Sequence, residues 1–162
     1  MPRILQEHVK NKKNLPKALC CLVLGKKPGD PWPPHVVYRA DFREPEADIF
    51  KNGMASSGKN TDLLAHYKGD SCNYKEATSA FVATSAVQAI AVQYAEIHLN
   101  RDPSKAHIYV YTIRATDNFY ELKTSLLKAG TKKNDPRYQK QANLCCADHE
   151  WIAYLKYPCK SD

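Results

Sequence analysis

The stretch HVVYRADFREPEADIFKNG (35–53) decides the fold class of this chain. Its first eight residues alternate and are rich in residues that favour β-structure, which predicts a strand. Pro45, between two glutamates, predicts the start of a helix, because proline fits a first helical turn and acidic side chains suit its positive end. Gly53, after an asparagine, is a signal for the end of that helix. The compact part of the chain therefore begins with a strand followed by a helix.

The elements that follow do not alternate regularly between strand and helix. The sequence predicts a short helix at 62–69, a strand at 79–85, a long helix at 86–100, a strand at 107–115, a helix at 121–128 and a last strand at 149–158. We expect a polar loop beyond residue 128, and residues 4–10 are compatible with a short helix. This order favours an α+β fold over a doubly wound parallel sheet.

The length of 162 residues fits a single domain. Residues 1–35 read as an appendage or linker, since they are rich in Lys, Asn and Pro and end in KKPGDPWPPH, which excludes a helix or a central strand. We therefore expect the catalytic domain to cover residues 36–162. No apolar run reaches the roughly 18 residues that cross a membrane, so we expect no membrane partner. We read no signal peptide at the start of the chain.

The formal net charge is +7, from 24 Lys and Arg against 17 Asp and Glu. The basic residues are scattered, which is compatible with an ordinary solvated surface. The same charge would also attract phosphate, and so it would suit a dianionic cofactor, an acidic protein partner or a nucleic acid. The charge alone does not decide between these interpretations.

The six cysteines do not form a recognisable framework. Two pairs are vicinal, at Cys20-Cys21 and Cys145-Cys146, while Cys72 and Cys159 stand alone. The sequence contains no C-x-x-C and no cysteine–histidine spacing typical of zinc, so we predict no metal site. Reduced thiols in a cytosolic working environment are the simplest expectation, and a single bridge between Cys72 and Cys159 remains open.

Three short segments carry residues that could do chemistry. Arg39 lies within the first strand, where it is either an edge-strand side chain that faces water or a guanidinium that holds phosphate. Thr84 and Ser85 end a strand just before a helix, so they either cap that helix or orient a catalytic carboxylate. Asp148 and Glu150 are two residues apart, so in an extended segment they share one face. Two carboxylates on one face raise each other's pKa unless a substrate separates them. The alternative is that both are solvated acids of an edge strand.

Together these segments resemble a known enzyme family, the cholera- and pertussis-toxin-like (R-S-E) mono-ADP-ribosyltransferases. The blocks that carry the resemblance, in order, are VYRADFREPEADIFKNGM (37–54), DLLAHYKG (62–69), SCNYKEATSAFVATS (71–85), HIYVYTIRATDNFYE (107–121) and HEWIAYLKYP (149–158). The resemblance implies an α+β fold in which two roughly perpendicular packed sheets, flanked by helices, enclose a cleft for NAD. It also implies that NAD is a substrate.

The resemblance assigns roles to individual residues. Arg39 would brace the site and hold the phosphate side of NAD, and Glu150 would be the catalytic glutamate that stabilises a positively charged, oxocarbenium-like ribose. His66 would polarise the acceptor. The remaining expected contacts with NAD or with the site are Ala40, Asp41, Arg43, Thr84, Ser85 and Tyr94, and Asp148 would influence the choice of acceptor.

The chain also departs from the family pattern. Ala83 replaces the first serine of the family's S-T-S motif, which removes one anchor for Glu150. Ser57, Ala40 and Ile90 replace aromatic residues of the pertussis-type enzymes, so stacking on NAD is expected to be weaker or to come from other rings. Asp148 is acidic where relatives carry Gln or Glu, which favours an arginine or hydroxyl acceptor.

From the sequence we therefore predict a toxin or effector, secreted or delivered into a host or competitor cell, where it acts in the cytosol. It would cleave NAD and transfer ADP-ribose to a target-cell protein, and we expect it to be a monomer. Three alternatives stay open: a nucleic acid as acceptor, water as acceptor in an NAD glycohydrolase, and a binding module without activity.

Overall fold

The structure, a computed structural model, describes residues 3–9, 29–72, 77–145 and 149–154. The elements in chain order are β1 (Arg3–Val9), β2 (Val36–Asp41), a π-helical turn (Pro45–Ile49), α1 (Phe50–Asn52), α2 (Leu63–Tyr67), β3 (Phe81–Ser85), α3 (Gln88–Arg101), β4 (His107–Arg114), β5 (Phe119–Glu121), α4 (Leu122–Lys133), α5 (Pro136–Leu144) and β6 (Glu150–Tyr154). None of the described helices is long and apolar enough to span a bilayer.

The six strands form one sheet in the order β1-β4-β2-β3-β6-β5. β1 runs parallel to β4, and all other neighbours are antiparallel. The sheet has two halves, which we name half-sheet A (β1, β4, β2) and half-sheet B (β3, β6, β5). A single residue pair, Tyr38 with Ser85, joins them. The halves thus form one continuous sheet where the sequence suggested two packed sheets, and the junction between them is narrow.

Three apolar clusters hold the halves and the helices together. The first takes residues from both halves, such as Val37 and Tyr111 of half-sheet A and Trp151 of half-sheet B. The second packs α2, α4 and α5 against half-sheet B, and the third packs α3 against half-sheet A. Burial of apolar surface on both faces of each half fixes the position of the strands that carry the candidate site.

Two predictions of local structure were wrong, and one short strand was missed. Residues 3–9 form strand β1 and not a helix. A helix of that length is marginal alone, whereas seven parallel pairings with β4 satisfy its backbone. The expected polar loop beyond residue 128 contains the end of α4 and the whole of α5. The Asp135 side chain accepts a bond from the Arg137 amide and caps α5, and Pro136 fits its first turn. The short strand β5 was not expected either.

The other elements lie close to their predicted positions. The helix expected after Pro45 ends at Gly53, whose φ of 77° is the left-handed conformation that favours glycine. Asp62 caps α2 by accepting bonds from the amides of Leu64 and Ala65. The caps therefore place α2, which carries His66, at a fixed position beside half-sheet B.

Candidate functional site

The candidate site lies where the two half-sheets meet. Tyr38 of β2 pairs with Ser85 of β3, and Ser85 pairs with Glu150 of β6. Since neighbouring strands are about 4.8 Å apart, this register places the start of β6 roughly 10 Å from the middle of β2. Arg39 and Glu150, which are distant in sequence, therefore come to the same junction.

Arg39 bridges the junction with its guanidinium. Its Nη1 donates to the carbonyl oxygen of Ala83 in β3 at 2.8 Å, and its Nε donates to Oδ2 of Asp41 at 3.1 Å. The side chain keeps 27% of its surface exposed. These two bonds leave further N–H groups of the guanidinium for an anionic ligand. Ala83, which departs from the family motif, thus contributes its backbone to hold Arg39.

Asp41 is the centre of a three-residue charge cluster. Besides Arg39, it accepts bonds from the amide, Nε and Nη2 of Arg43 at 3.0, 2.9 and 2.9 Å. Burial alone would raise the pKa of Asp41, but the charges of Arg39 and Arg43 and the bonds from Arg43 outweigh it and hold this pKa far below its usual range. The bond to Asp41 in turn raises the pKa of Arg43. Asp41 is therefore a permanent carboxylate that orients both arginines.

Two tyrosines of β4 hold the turn after β2. The hydroxyl of Tyr111 donates to the carbonyl oxygen of Arg43 at 2.5 Å, and that of Tyr109 donates to Oε2 of Glu44 at 2.5 Å. Tyr111 is fully buried and Tyr109 nearly so. The turn that positions Arg43 is therefore tied to the sheet. Sequence reasoning missed this contribution, because alternation predicts a strand but not which hydroxyl reaches a turn across it.

The hydroxyls of β3 bind backbone. Thr84 is buried and donates from Oγ1 to the carbonyl oxygen of Trp151 at 2.6 Å. The Ser85 Oγ accepts from the amide of Val87 at 3.0 Å, just before α3. Neither side chain caps α3, whose N-cap residue is Val87 without a side-chain cap bond. The Thr84 bond instead ties β3 to β6 beside Glu150, and the Ser85 bond holds the turn before α3.

His66 lies against Glu150 in the buried part of the site. Its side chain is only 1% exposed, and its Nε2 lies 3.6 Å from Oε1 of Glu150, whose side chain is 17% exposed. At that distance the two atoms form an ion pair but not a close hydrogen bond, and Nε2 has no other hydrogen-bond partner among the described residues. Nδ1 lies 2.7 Å from Oγ of Ser79 and 3.2 Å from Sγ of Cys72.

The charges of this cluster reach across the junction. Burial alone lowers the pKa of His66, but the bond to Cys72 and the Glu150 carboxylate outweigh it and raise this pKa to about 9. Partial burial raises the pKa of the Cys72 thiol, and His66 outweighs that and lowers it, with a further contribution from the charge of Arg39. Cys72 is exposed and forms no disulfide with Cys145, the other cysteine in the described part of the chain. The charges of both His66 and Arg39 thus lower the pKa of Cys72.

The residue before Glu150 has an unusual backbone. His149 has φ of 45°, in the left-handed region that non-glycine residues seldom occupy. Its carbonyl oxygen accepts from the amide of Ala86 at 3.0 Å. Such conformations concentrate at functional sites, where neighbouring contacts hold them. Here the turn presents Glu150 as the first residue of β6.

The remaining expected site residues lie in different places. Ala40 faces the cluster between half-sheet A and α3. Tyr94 is 45% exposed on α3, with its ring 6.5 Å from the ring of His98. Asp148 and Cys159 are outside the described residues. The structure therefore brings together Arg39, Asp41 and Arg43, and separately His66 and Glu150 with Ser79. No motif had pointed to Ser79.

Comparisons with known proteins agree with this geometry. The family model of pertussis toxin, subunit 1, matches residues 32–158. The pertussis toxin subunit 1 homolog of Bordetella parapertussis is 38% identical over 140 residues, and pertussis toxin subunit 1 of Bordetella pertussis is 37% identical over 140 residues. Each alignment covers 78% of this chain and 50% of the relative, so the chain spans about half the length of these relatives.

Solved structures show the same architecture. EcPltA matches with a TM-score of 0.62 and 27% identity, over 82% of this chain and 72% of that chain. The nicked CARDS toxin matches with a TM-score of 0.54 and 20% identity, over 74% of this chain and 22% of that chain, a likeness of fold alone. The α+β class and the fold expected from the sequence are confirmed.

Proposed function

This chain belongs to the pertussis toxin subunit 1 family of ADP-ribosyltransferase toxins, and from that premise we propose that it cleaves NAD and transfers ADP-ribose to a protein of a target cell. The observation that carries the proposal is the arrangement at the junction of the half-sheets. There an arginine with spare donors lies at the same junction as a carboxylate that is paired with a buried histidine.

Arg39 is the residue that binds the phosphates of NAD in this proposal. Its guanidinium is oriented from two sides, by Asp41 and by the Ala83 carbonyl, so little side-chain entropy is lost when a phosphate binds. A planar fork of N–H donors fits phosphate oxygens well. Asp41 and Arg43 support Arg39, and we assign to the backbone of Ala40 the contact with the nicotinamide amide.

Glu150 acts on the ribose. The bond between ribose C1′ and the nicotinamide nitrogen breaks, its electron pair leaves with nicotinamide, and positive charge develops on the ribose. The Glu150 carboxylate accepts a hydrogen bond from the ribose 2′-hydroxyl and stabilises that charge where it develops. Because His66 has a pKa of about 9, its imidazolium faces the Glu150 carboxylate at neutral pH.

Transfer is completed by a nucleophile of the target. Its reactive atom bonds to C1′ and gives up its proton to water, and His66, which is buried behind Glu150, acts on that group through the carboxylate. Thr84 and Ser85 keep β3 and β6 in register beside Glu150, and Tyr94 of α3 offers an aromatic surface to NAD. We assign the choice of acceptor to Asp148. The expected site of action is the cytosol of a host or competitor cell, after secretion or delivery.

An assay with biotinylated NAD tests the proposal. The chain is incubated with this probe and a cell lysate, and label is followed in protein, in nuclease-sensitive material and as free ADP-ribose. Labelled protein supports the proposal. Label in nuclease-sensitive material would identify a nucleic-acid acceptor instead, and free ADP-ribose alone would identify a glycohydrolase.

Two variants make the assay specific. Glu150→Gln keeps the size of the side chain but removes its charge, and it should abolish labelling. Glu96→Gln, at an exposed position of α3, is the matched control and should label like the unsubstituted chain. If NAD stays intact with the unsubstituted chain in several lysates, the proposed activity is wrong.

A further inference from the structure

Ser79 has a single described side-chain partner at the site, the buried ring of His66. Its Oγ lies 2.7 Å from Nδ1 and also accepts a hydrogen bond from the amide of Phe81 at 3.1 Å. A hydroxyl has one donor hydrogen and two acceptor sites. Because the Phe81 amide uses one acceptor site, the hydroxyl hydrogen is available for Nδ1.

A hydrogen bond at Nδ1 determines whether the proton of the neutral ring lies on Nε2. When Nδ1 accepts from Ser79, the proton of a neutral imidazole lies on Nε2. That atom lies 3.6 Å from Oε1 of Glu150. The same contact fixes the rotation of the ring, so Nε2 stays on the side of the carboxylate.

Cys72 competes with Ser79 for Nδ1. Its Sγ lies 3.2 Å from this atom, and His66 favours the thiolate form of Cys72. A thiolate only accepts hydrogen bonds, so it would draw the imidazole proton to Nδ1. The two neighbours therefore favour opposite tautomers of His66, and removal of the Ser79 hydroxyl would leave only the one that Cys72 favours.

We propose that Ser79 is a positioning residue of the site, whose hydroxyl holds the His66 ring with its Nε2–H facing Glu150. To the imidazolium of neutral pH the hydroxyl oxygen accepts from Nδ1–H, and to the neutral ring of high pH the hydroxyl donates to Nδ1. This inference rests on the proposed function for its effect on catalysis. The effect of Ser79 on the His66 ring is independent of the proposed function, because this contact is present without substrate.

The backbone around Ser79 is fixed without its hydroxyl. The amide of Ser79 donates to the carbonyl oxygen of Ser71 at 2.9 Å, and its carbonyl oxygen accepts from the amide of Gly58 at 2.8 Å. Two further bonds, each 2.8 Å, join Asn60 to Thr78 and to Ala80. Removal of the hydroxyl should therefore leave the segment in place, and Ser79→Ala should fold.

The first test is the tautomer of His66, read from ¹H–¹⁵N NMR spectra of protein with ¹⁵N-labelled histidine, with the signal assigned through His66→Gln. At about pH 10, above the pKa of about 9, the ring is neutral. The unsubstituted chain should carry the proton on Nε2. Ser79→Ala should move it to Nδ1, and Ser79→Thr, which keeps a hydroxyl, should retain it on Nε2.

The second test is NAD cleavage by the same variants. Ser79→Ala should lower kcat by about 10- to 100-fold with little change in KM for NAD, because a misplaced ring impairs the chemical step more than binding. Ser79→Thr should recover most of that loss. Ser125→Ala removes an equally buried serine hydroxyl from α4 and should change neither measurement.

The outcomes separate this inference from the proposed function. If the chain does not cleave NAD, the proposed function fails, and the NMR spectra still decide the role of Ser79. An unchanged tautomer in Ser79→Ala would overturn the inference. So would a loss of kcat that Ser79→Thr does not restore.

Discussion

The Nε2 atom of His66 and the Oε1 atom of Glu150 lie 3.6 Å apart, one on helix α2 and the other at the start of strand β6. The ring is almost fully buried, whereas the carboxylate keeps part of its surface open. A buried cation therefore lies behind a carboxylate that a substrate can reach. This arrangement makes the charge on Glu150 the first property to test.

Replacement of Glu150 by Gln should lower the rate of NAD cleavage by about 10²- to 10⁴-fold, because the amide cannot stabilise positive charge on the ribose. The measurement is the release of nicotinamide. The fold should persist, as Gln has the same size, and circular dichroism checks this. A Glu150→Gln variant that cleaves NAD at more than a tenth of the normal rate would contradict the assigned role.

His66 should make stability depend on pH. Its folded-state pKa of about 9 lies above the ordinary value of 6.5, so the folded protein binds the proton more tightly than the unfolded chain does. The contribution is complete below about pH 6.5 and is lost as the pH rises to about 9, with a magnitude of up to about 3 kcal/mol.

Urea unfolding at a series of pH values, for the unsubstituted chain and for His66→Gln, measures this contribution. The difference in unfolding free energy between the two should shrink between these pH limits. An NMR titration of His66 gives the pKa directly. A value near that of an exposed histidine would show that Cys72 and Glu150 do not stabilise the imidazolium.

Asp41→Asn should remove the group that orients both Arg39 and Arg43. The variant loses the ion pairs with Arg39 and Arg43, and we expect a loss of about 2 kcal/mol in stability together with a rise in KM for NAD. Since the folded-state pKa of Asp41 is lowered, its contribution to stability is present above about pH 4 and is lost as the pH falls further.

A matched control exists on α5. Asp135 forms a similar pair with Arg137, also two residues away, but at an exposed position. Asp135→Asn should therefore leave KM for NAD unchanged and cost less stability. Equal effects of the two substitutions on KM would rule out a specific role for Asp41.

The hydroxyl of Tyr111 should contribute to the position of Arg43. Tyr111→Phe removes one hydrogen bond to the Arg43 carbonyl and leaves that oxygen without its buried donor, which should cost about 1 to 2 kcal/mol. Thermal unfolding measures this loss, and KM for NAD should rise. Tyr154→Phe, on β6 beside the helices, serves as the control. No change in either quantity for Tyr111→Phe would mean that the turn is held by its other contacts.

The sequence predicted the role of a residue where that role depends on a local pattern. Arg39 and Glu150 lie in blocks whose order along the chain is specific, and the strands that carry both were predicted. The roles of Ser79 and Tyr111 depend on a hydrogen bond to a residue far along the chain, which no spacing records. β1 was misassigned because seven residues carry too little periodicity to separate helix from strand, and pairing with β4 decides between them.

Gly58 gives the last prediction, since it decides how closely two segments approach. A Cβ at this position would lie 2.3 Å from the carbonyl oxygen of Thr78, closer than side chains and backbone tolerate. Gly58→Ala should therefore push the segment that carries Ser79 away, at a cost of about 1 to 3 kcal/mol. The NMR signal of His66 should shift with it, as in Ser79→Ala. Ser57→Ala, at the neighbouring exposed position, should change neither stability nor the signal. If Gly58→Ala unfolds at the normal urea concentration with an unchanged His66 signal, close packing at Gly58 does not position Ser79.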